Sequence, residues 1–423
     1  MINFGGVRKL KVRFNYILFT LLLCLCLTAC GERTITENMI PDTSERTTPI
    51  ETEAEEIISF PDLDAQNKYA IFNAISFQES DNFFCGNSLI GDRLYYYDKE
   101  NGISGILCAD PSCSHDSSSC GAYVKSGAAM FLYDGLRYWI TDDVNTDGWD
   151  YILWQGDIAG TNQKKVKTIN FEDIILTYQP QQYAIHRGNL YFLGTADTIS
   201  GVNTGVRLTL MGSPLDKSEE FTALFDQTYN AYVKAGVLFI GNYAFFFVQT
   251  WTEAVANPAV DIAIYKIALN NGKMETVYEE PGGTACDGFW VTERGEVYLA
   301  KQSAVCKVEA GTLTSAATFK HTGDVVELMD GIAVTTYLED DRRCVEILDF
   351  SGNTLYDGKM FTADIPEMDG DPNEFRTYSM LIVGGDSDKL IINLANFNGN
   401  NESYVILLDL HSNLKPTLLW KAE

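Results

Sequence analysis

The sequence predicts an all-β chain: a β-propeller, most simply of seven blades with four antiparallel strands each, placed after a signal peptide and a disordered tether. Three observations carry this. Short aromatic and β-branched runs alternate with Gly/Asp turns along the body, the period-two pattern of strands. Amphipathic helical stretches of useful length are absent. The turn motif recurs at intervals of about 45–55 residues, the length of a four-stranded blade.

The 423 residues would accommodate two or three ordinary domains or one large repeat architecture. Hydrophobic residues make up 46 %, enough for a substantial core. The net charge of −27 argues against nucleic acid as a partner, because phosphate binding needs clustered Lys and Arg.

The chain opens with a basic segment (Arg8, Lys9, Lys11, Arg13), then the apolar run Ile17 to Leu27, then Leu27-Thr28-Ala29-Cys30. The run is too short to span a bilayer, which needs roughly 20 residues, so residues 1–29 read as a cleaved signal peptide. The Leu-x-Ala-Cys ending resembles the lipobox of bacterial lipoproteins. That resemblance implies cleavage before Cys30, lipid on its sulfur and new amino group, and a membrane partner held through that lipid. Loss of residues 1–29 removes four basic side chains and takes the net charge from −27 to −31. So acidic a body is not drawn to an anionic leaflet, and the lipid must do the anchoring. Residues 30–60 form the tether: the stretch 31–56 is rich in Thr and Glu, lacks aromatic residues and is interrupted by Pro41 and Pro49. Such a composition buries too little apolar area to offset its ordering entropy.

Residues 61–423 form the propeller. Its turn motif occurs at Gly91-Asp-Arg-Leu-Tyr-Tyr-Tyr97, Asp134-Gly-Leu-Arg-Tyr-Trp139, Arg187-Gly-Asn-Leu-Tyr-Phe192, Gly241-Asn-Tyr-Ala-Phe-Phe246, Arg294-Gly-Glu-Val-Tyr-Leu299, Asp330-Gly-Ile-Ala-Val334 and Ser387-Asp-Lys-Leu-Ile-Ile392. The glycines at 91, 135, 188, 241, 295 and 331 are spaced by 44, 53, 53, 54 and 36, and the Ser387 turn lies 56 further on. Each motif is followed by another apolar strand, as in Tyr151-Ile-Leu-Trp154 and Val345-Glu-Ile-Leu-Asp-Phe350. A sandwich or several small β domains is the alternative; regular spacing over more than 300 residues favours the propeller. The turns Leu269-Asn-Asn-Gly-Lys273 and Asp349-Phe-Ser-Gly-Asn353 resemble those of TolB-like and quinoprotein-like propellers, which implies degenerate blades.

Of ten cysteines, Cys24 and Cys26 leave with the signal and Cys30 is the lipidation residue, so seven remain in the body. Cys108-Ala-Asp-Pro-Ser-Cys113-Ser-His115-Asp-Ser-Ser-Ser-Cys120 places three sulfurs and an imidazole in one short loop. Zinc takes four such ligands in a tetrahedron, while an exported loop can equally hold a disulfide, with Cys85 as a further partner. Cys286 and Cys306 are expected on neighbouring strands, where they could pair; Cys344 reads as a buried core thiol. The element Cys-x-x-Pro-x-Cys-x-His, followed by a third cysteine, resembles one found in uncharacterised propeller lipoproteins of Gram-positive anaerobes. The resemblance implies a cell-surface setting and supplies no activity.

Asp143, Asn145 and Asp147, followed by Gly148, match the first half of a calcium loop, but position 12 holds Trp154 where a bidentate Glu is expected. The alternative is an acidic hairpin turning on Asp-Gly. The histidines at 115, 186, 321 and 411 lie in different units, and no Gly-x-Ser-x-Gly, His-Glu-x-x-His or Walker loop occurs. Asp142-Asp143 and Asp340-Asp341 read as solvated turns. Trp139, Trp149, Trp154, Trp251 and Trp290 fall near strand ends, where a ring could face a ligand or pack between blades. The expected function is therefore binding without catalysis: a lipid-anchored propeller of the bacterial cell envelope, facing away from the cytoplasm, that holds a protein or glycan. The alternative is a surface glycan hydrolase or lyase with acidic residues around the central channel.

Overall fold

A computed structural model describes residues 77–124, 130–142, 151–158, 161–169, 182–200, 203–217, 221–252, 258–323, 326–368, 371–374, 377–397 and 401–422. Residues 1–60, read above as signal peptide, Cys30 and tether, and the candidate calcium-loop residues Asp143, Asn145 and Asp147 lie outside them.

Among the described residues there are 28 strands in seven antiparallel four-stranded sheets, each built from consecutive strands. The first blade holds β1 (Phe77–Glu79), β2 (Phe83–Gly86), β3 (Tyr95–Asp98) and β4 (Ile103–Ile106). The second holds β5 (Met130–Tyr133), β6 (Leu136–Asp142), β7 (Tyr151–Asp157) and β8 (Lys164–Ile169). The third holds β9 (Gln182–His186), β10 (Asn189–Ser200), β11 (Asn203–Pro214) and β12 (Thr222–Tyr229). The fourth holds β13 (Tyr232–Ile240), β14 (Tyr243–Trp251), β15 (Val260–Ala268) and β16 (Met274–Gly283). The fifth holds β17 (Gly288–Val291), β18 (Val297–Lys301), β19 (Ala304–Glu309) and β20 (Thr312–Thr318). The sixth holds β21 (Val326–Met329), β22 (Ile332–Glu339), β23 (Arg342–Asp349) and β24 (Thr354–Lys359). The seventh holds β25 (Ser379–Gly385), β26 (Lys389–Asn396), β27 (Glu402–Asp409) and β28 (Lys415–Ala422). The chain is a seven-bladed β-propeller.

The turn motif joins first to second strands in blades two to seven, where Gly135 (φ 70°) and Gly188 (φ 73°) adopt the left-handed backbone that such tight hairpins require. In the first blade it differs: Gly91 precedes the third strand, and residues 80–82 make the first hairpin. The leading interval is short because its mark comes one strand late. The interval of 36 is short because two successive hairpins of the fifth blade turn on residues 302–303 and 310–311 alone.

Blades pack sheet on sheet through aromatic rings: Tyr191 on Phe239 (4.5 Å), Phe247 on Phe289 (5.4 Å) and Tyr298 on Phe350 (4.3 Å). Among the described residues no strand is exchanged to close the ring, since first and seventh sheets are each contiguous in sequence. Side chains close it instead. Trp420 on β28 stacks on Phe77 (5.7 Å) and Tyr95 (6.2 Å) of the first blade. Beside it the Asn393 amide donates to Ser88 Oγ (2.9 Å), Ser88 donates to Ser403 Oγ (2.8 Å), and Ser403 donates back to Asn393 Oδ1 (2.9 Å). Lys389 pairs with Glu79 across the same seam (3.1 Å).

Candidate metal centre and the loop face

The Cys/His segment interrupts the fourth strand of the first blade. Leu107 N donates to Leu94 O, and Leu94 N donates to Ala122 O, both at 2.8 Å. The chain thus leaves the edge of β3 at residue 107 and rejoins it at 122, where Arg93 and Tyr123 form an antiparallel bridge. Residues 108–121 are an excursion whose two ends are pinned to one residue.

Within it the Sγ atoms of Cys108, Cys113 and Cys120 and a ring nitrogen of His115 all lie within 4.8 Å of one another. His115 Nδ1 stands 3.4 Å from Cys120 Sγ, with the His115 backbone in the left-handed region (φ 58°). Backbone amides converge on the sulfurs: His115 N on Cys113 Sγ and Ala122 N on Cys120 Sγ, each at 3.4 Å, and Asp110 N and Gly121 N on Cys108. Burial works to raise the Cys108 thiol, but the Asp110 amide and its other donors outweigh it and hold it below the usual thiol range. Burial pushes Cys120 up to about 11.

The excursion folds between the first two blades. Cys120, Ala122, Leu94 and Leu107 share a core with Met130 and Trp139 of the second. Arg137, 0 % exposed, lies over the Trp139 ring and donates from Nη2 to Gly121 O (2.8 Å), leaving Nε and Nη1 without a partner. Arg93 Nε donates to His115 O (2.8 Å).

Cys85 is fully buried in the same core and its thiol is pushed up to about 12 by burial. Cys344 is buried on β23. Cys286 and Cys306 do not sit on neighbouring strands as expected. Cys286 precedes β17, Cys306 lies on β19, and β18 runs between them. Both are free thiols, and Cys286 Sγ donates to Gly288 O (2.9 Å).

The remaining histidines stand apart from this cluster. His186 is buried with Nε2 at 2.7 Å from Gly241 O, His321 stacks on Tyr337, and His411 meets Asp388 on the surface. Asp340 and Asp341 (φ 52° and 61°) are the hairpin turn between β22 and β23. Trp139 stacks on Trp154 and Trp290 is core; Trp149 lies outside the described residues.

The two propeller faces differ. Connections from first to second and third to fourth strands share one face and are mostly short, such as 134–135, 187–188, 310–311 and 330–331. Connections from second to third strands, and from blade to blade, leave from the other, where the described stretches include 87–94, 107–124 and 360–368. On this loop face Tyr232, half exposed, stacks on Trp251 (5.7 Å), its cross-strand partner. Two hollows open beside strand ends there. One, of about 830 Å³, is lined by Arg342, Phe361, Ile365 and Asp371, and the other, of about 330 Å³, by Tyr229, Thr250, Asp261 and Glu279.

One charged group was not legible in the sequence. Lys234 on β13, Asp287 just before β17 and Glu327 on β21 come from the innermost strands of three successive blades. Lys234 Nζ donates to the backbone oxygen of Asp287 (3.0 Å). Burial raises Glu327 to about 7, with the Lys234 charge opposing the rise and the Asp287 charge adding to it.

No protein-family model matches the chain, and no curated protein matches its sequence. Solved structures similar to it include the polysaccharide lyase Uly1, at 12 % identity and a TM-score of 0.49, over 79 % of this chain and 89 % of that one. The β-propeller domain of the Trilobed protease from Pyrococcus furiosus is similar at 10 % identity and a TM-score of 0.43, over 81 % and 98 %. The Pyrococcus horikoshii acylaminoacyl peptidase is similar at 13 % identity and a TM-score of 0.46 over 82 % of this chain, which spans 53 % of that protein. What they have in common with this chain is the fold.

Proposed function

We propose that this protein is a lipid-anchored propeller of the bacterial cell envelope, outside the cytoplasm, that binds a protein or glycan ligand through its loop face. The observation that carries the reading is the asymmetry of the faces: tight hairpins on one, and on the other long connections, two hollows and the Tyr232–Trp251 pair. Exposed aromatic rings offer large contact area at low entropic cost to sugar rings and protein side chains alike. The anchor rests on Cys30 at the end of the lipobox-like segment. In the expressing bacterium, Cys30→Ala should move the protein from the membrane pellet to the soluble fraction; unchanged retention would sink the anchor. Glycan arrays and pull-downs from envelope extracts should yield a ligand whose binding weakens about tenfold in Trp251→Ala. Undiminished binding by that variant moves the site off this face.

A second reading is favoured by Glu327. A carboxyl group that burial raises to about 7, beside Lys234 and Asp287, is suited to general acid chemistry, as a glycan hydrolase or lyase requires. Release of product from cell-wall polysaccharide, lost in Glu327→Gln, would establish it over binding alone.

A further inference from the structure

We propose that Cys108, Cys113, His115 and Cys120 bind one zinc(II) ion in a closed structural site that staples the first blade to the second. This stands apart from the ligand-binding reading and survives its failure.

Four observations converge. The ligand atoms lie within 4.8 Å of one another, and a tetrahedron with arms of about 2.0–2.3 Å has edges of about 3.3–3.8 Å, so small side-chain adjustments close it. Each of the three sulfurs has at least one backbone N–H directed at it. Amide donors stabilise thiolate charge, whereas a disulfide sulfur is a poor acceptor with little use for them. The excursion is closed at its base by the two hydrogen bonds on Leu94, so the ligands are presented by a loop whose ends are already fixed. Charge supplies the fourth. Three thiolates, one neutral imidazole and Zn²⁺ sum to −1, and the buried guanidinium of Arg137 stands beside them with two nitrogens unpartnered. Asp157 also opposes that guanidinium, and one disulfide plus one thiol would add no further charge to it.

Loading is balanced as three thiols and an imidazole plus Zn²⁺ giving the tetrahedral complex and three protons, with no redox change. All four positions are filled by the protein, so no site is left for water and the ion does no hydrolysis. Its work is mechanical: it fixes the excursion against Met130 and Trp139 of the second blade.

The test uses the full chain purified under reducing, chelator-free conditions. Elemental analysis should find about one zinc per chain, and cobalt exchange should give the visible bands of a tetrahedral thiolate site. Of the seven cysteines among the described residues, Cys108, Cys113 and Cys120 should gain reactivity towards a thiol reagent when a chelator is added. Cys113→Ser should lose the zinc, and Cys344→Ser should keep it. Arg137→Met should weaken zinc binding about 10–100-fold, with partial rescue in Arg137→Lys. Should Cys113→Ser fail to fold, the cobalt spectrum and the chelator-dependent thiol count on the unaltered chain still decide. Absence of zinc, zinc retained by a folded Cys113→Ser protein, or a disulfide within this loop in protein alkylated before extraction would each overturn the proposal.

Discussion

Trp420→Ala is expected to lower the unfolding free energy by about 3–5 kcal/mol, the range for removing a fully buried large aromatic side chain. Trp420 is 1 % exposed, and its ring is the main contact joining β28 to Phe77 and Tyr95. Elsewhere a lost ring leaves a blade still followed covalently by the next. Here no β-ladder spans the junction between first and seventh sheets among the described residues, so the cavity opens at the seam between those two blades. Urea unfolding followed by tryptophan fluorescence measures the change. A loss below about 1 kcal/mol would mean that the ring is not closed by this stack.

The second large effect is a pH dependence of stability centred on Glu327. Its ordinary value is 4.5 and its folded value about 7. Between those limits the folded chain keeps a proton that the unfolded chain has released. Stability is therefore fully present below the lower value and falls as pH rises through the upper one. Glu327→Gln keeps the neutral shape and removes the titration. It should flatten the profile between about pH 5 and about pH 8 and stabilise the protein by about 1–3 kcal/mol at the upper end. Parallel profiles for the two proteins would show that Lys234 holds the carboxylate ionised in the fold.

The strands and their order were legible because each blade is local: a turn, an alternating run and a second turn lie within some fifty residues. The Cys108–Cys120 cluster was legible for the same reason, its three thiols and one imidazole lying within one loop. What escaped came from the ring rather than from the strand. Lys234, Asp287 and Glu327 are brought together only because three innermost strands surround one axis, and in a chain with 58 acidic residues no local pattern marks Asp287 or Glu327. Cys286 and Cys306 looked adjacent because sequence distance does not reveal that β18 intervenes. The Tyr232–Trp251 stack depended on register, which pairs the first residue of β13 with the last of β14.

A ring sealed by side chains, with each described sheet made from consecutive strands, also has a direction in time. Within-blade contacts span few residues and carry little loop-closure cost, whereas the hydrogen bond from Ser88 to Ser403 spans 315. Blades can therefore assemble in order along the chain, with the first and last meeting as the final event. A substitution at that junction then leaves the refolding rate nearly unchanged and appears almost wholly as faster unfolding. The lifetime of the closed propeller, rather than the ease of making it, is what Trp420, Asn393 and Lys389 govern.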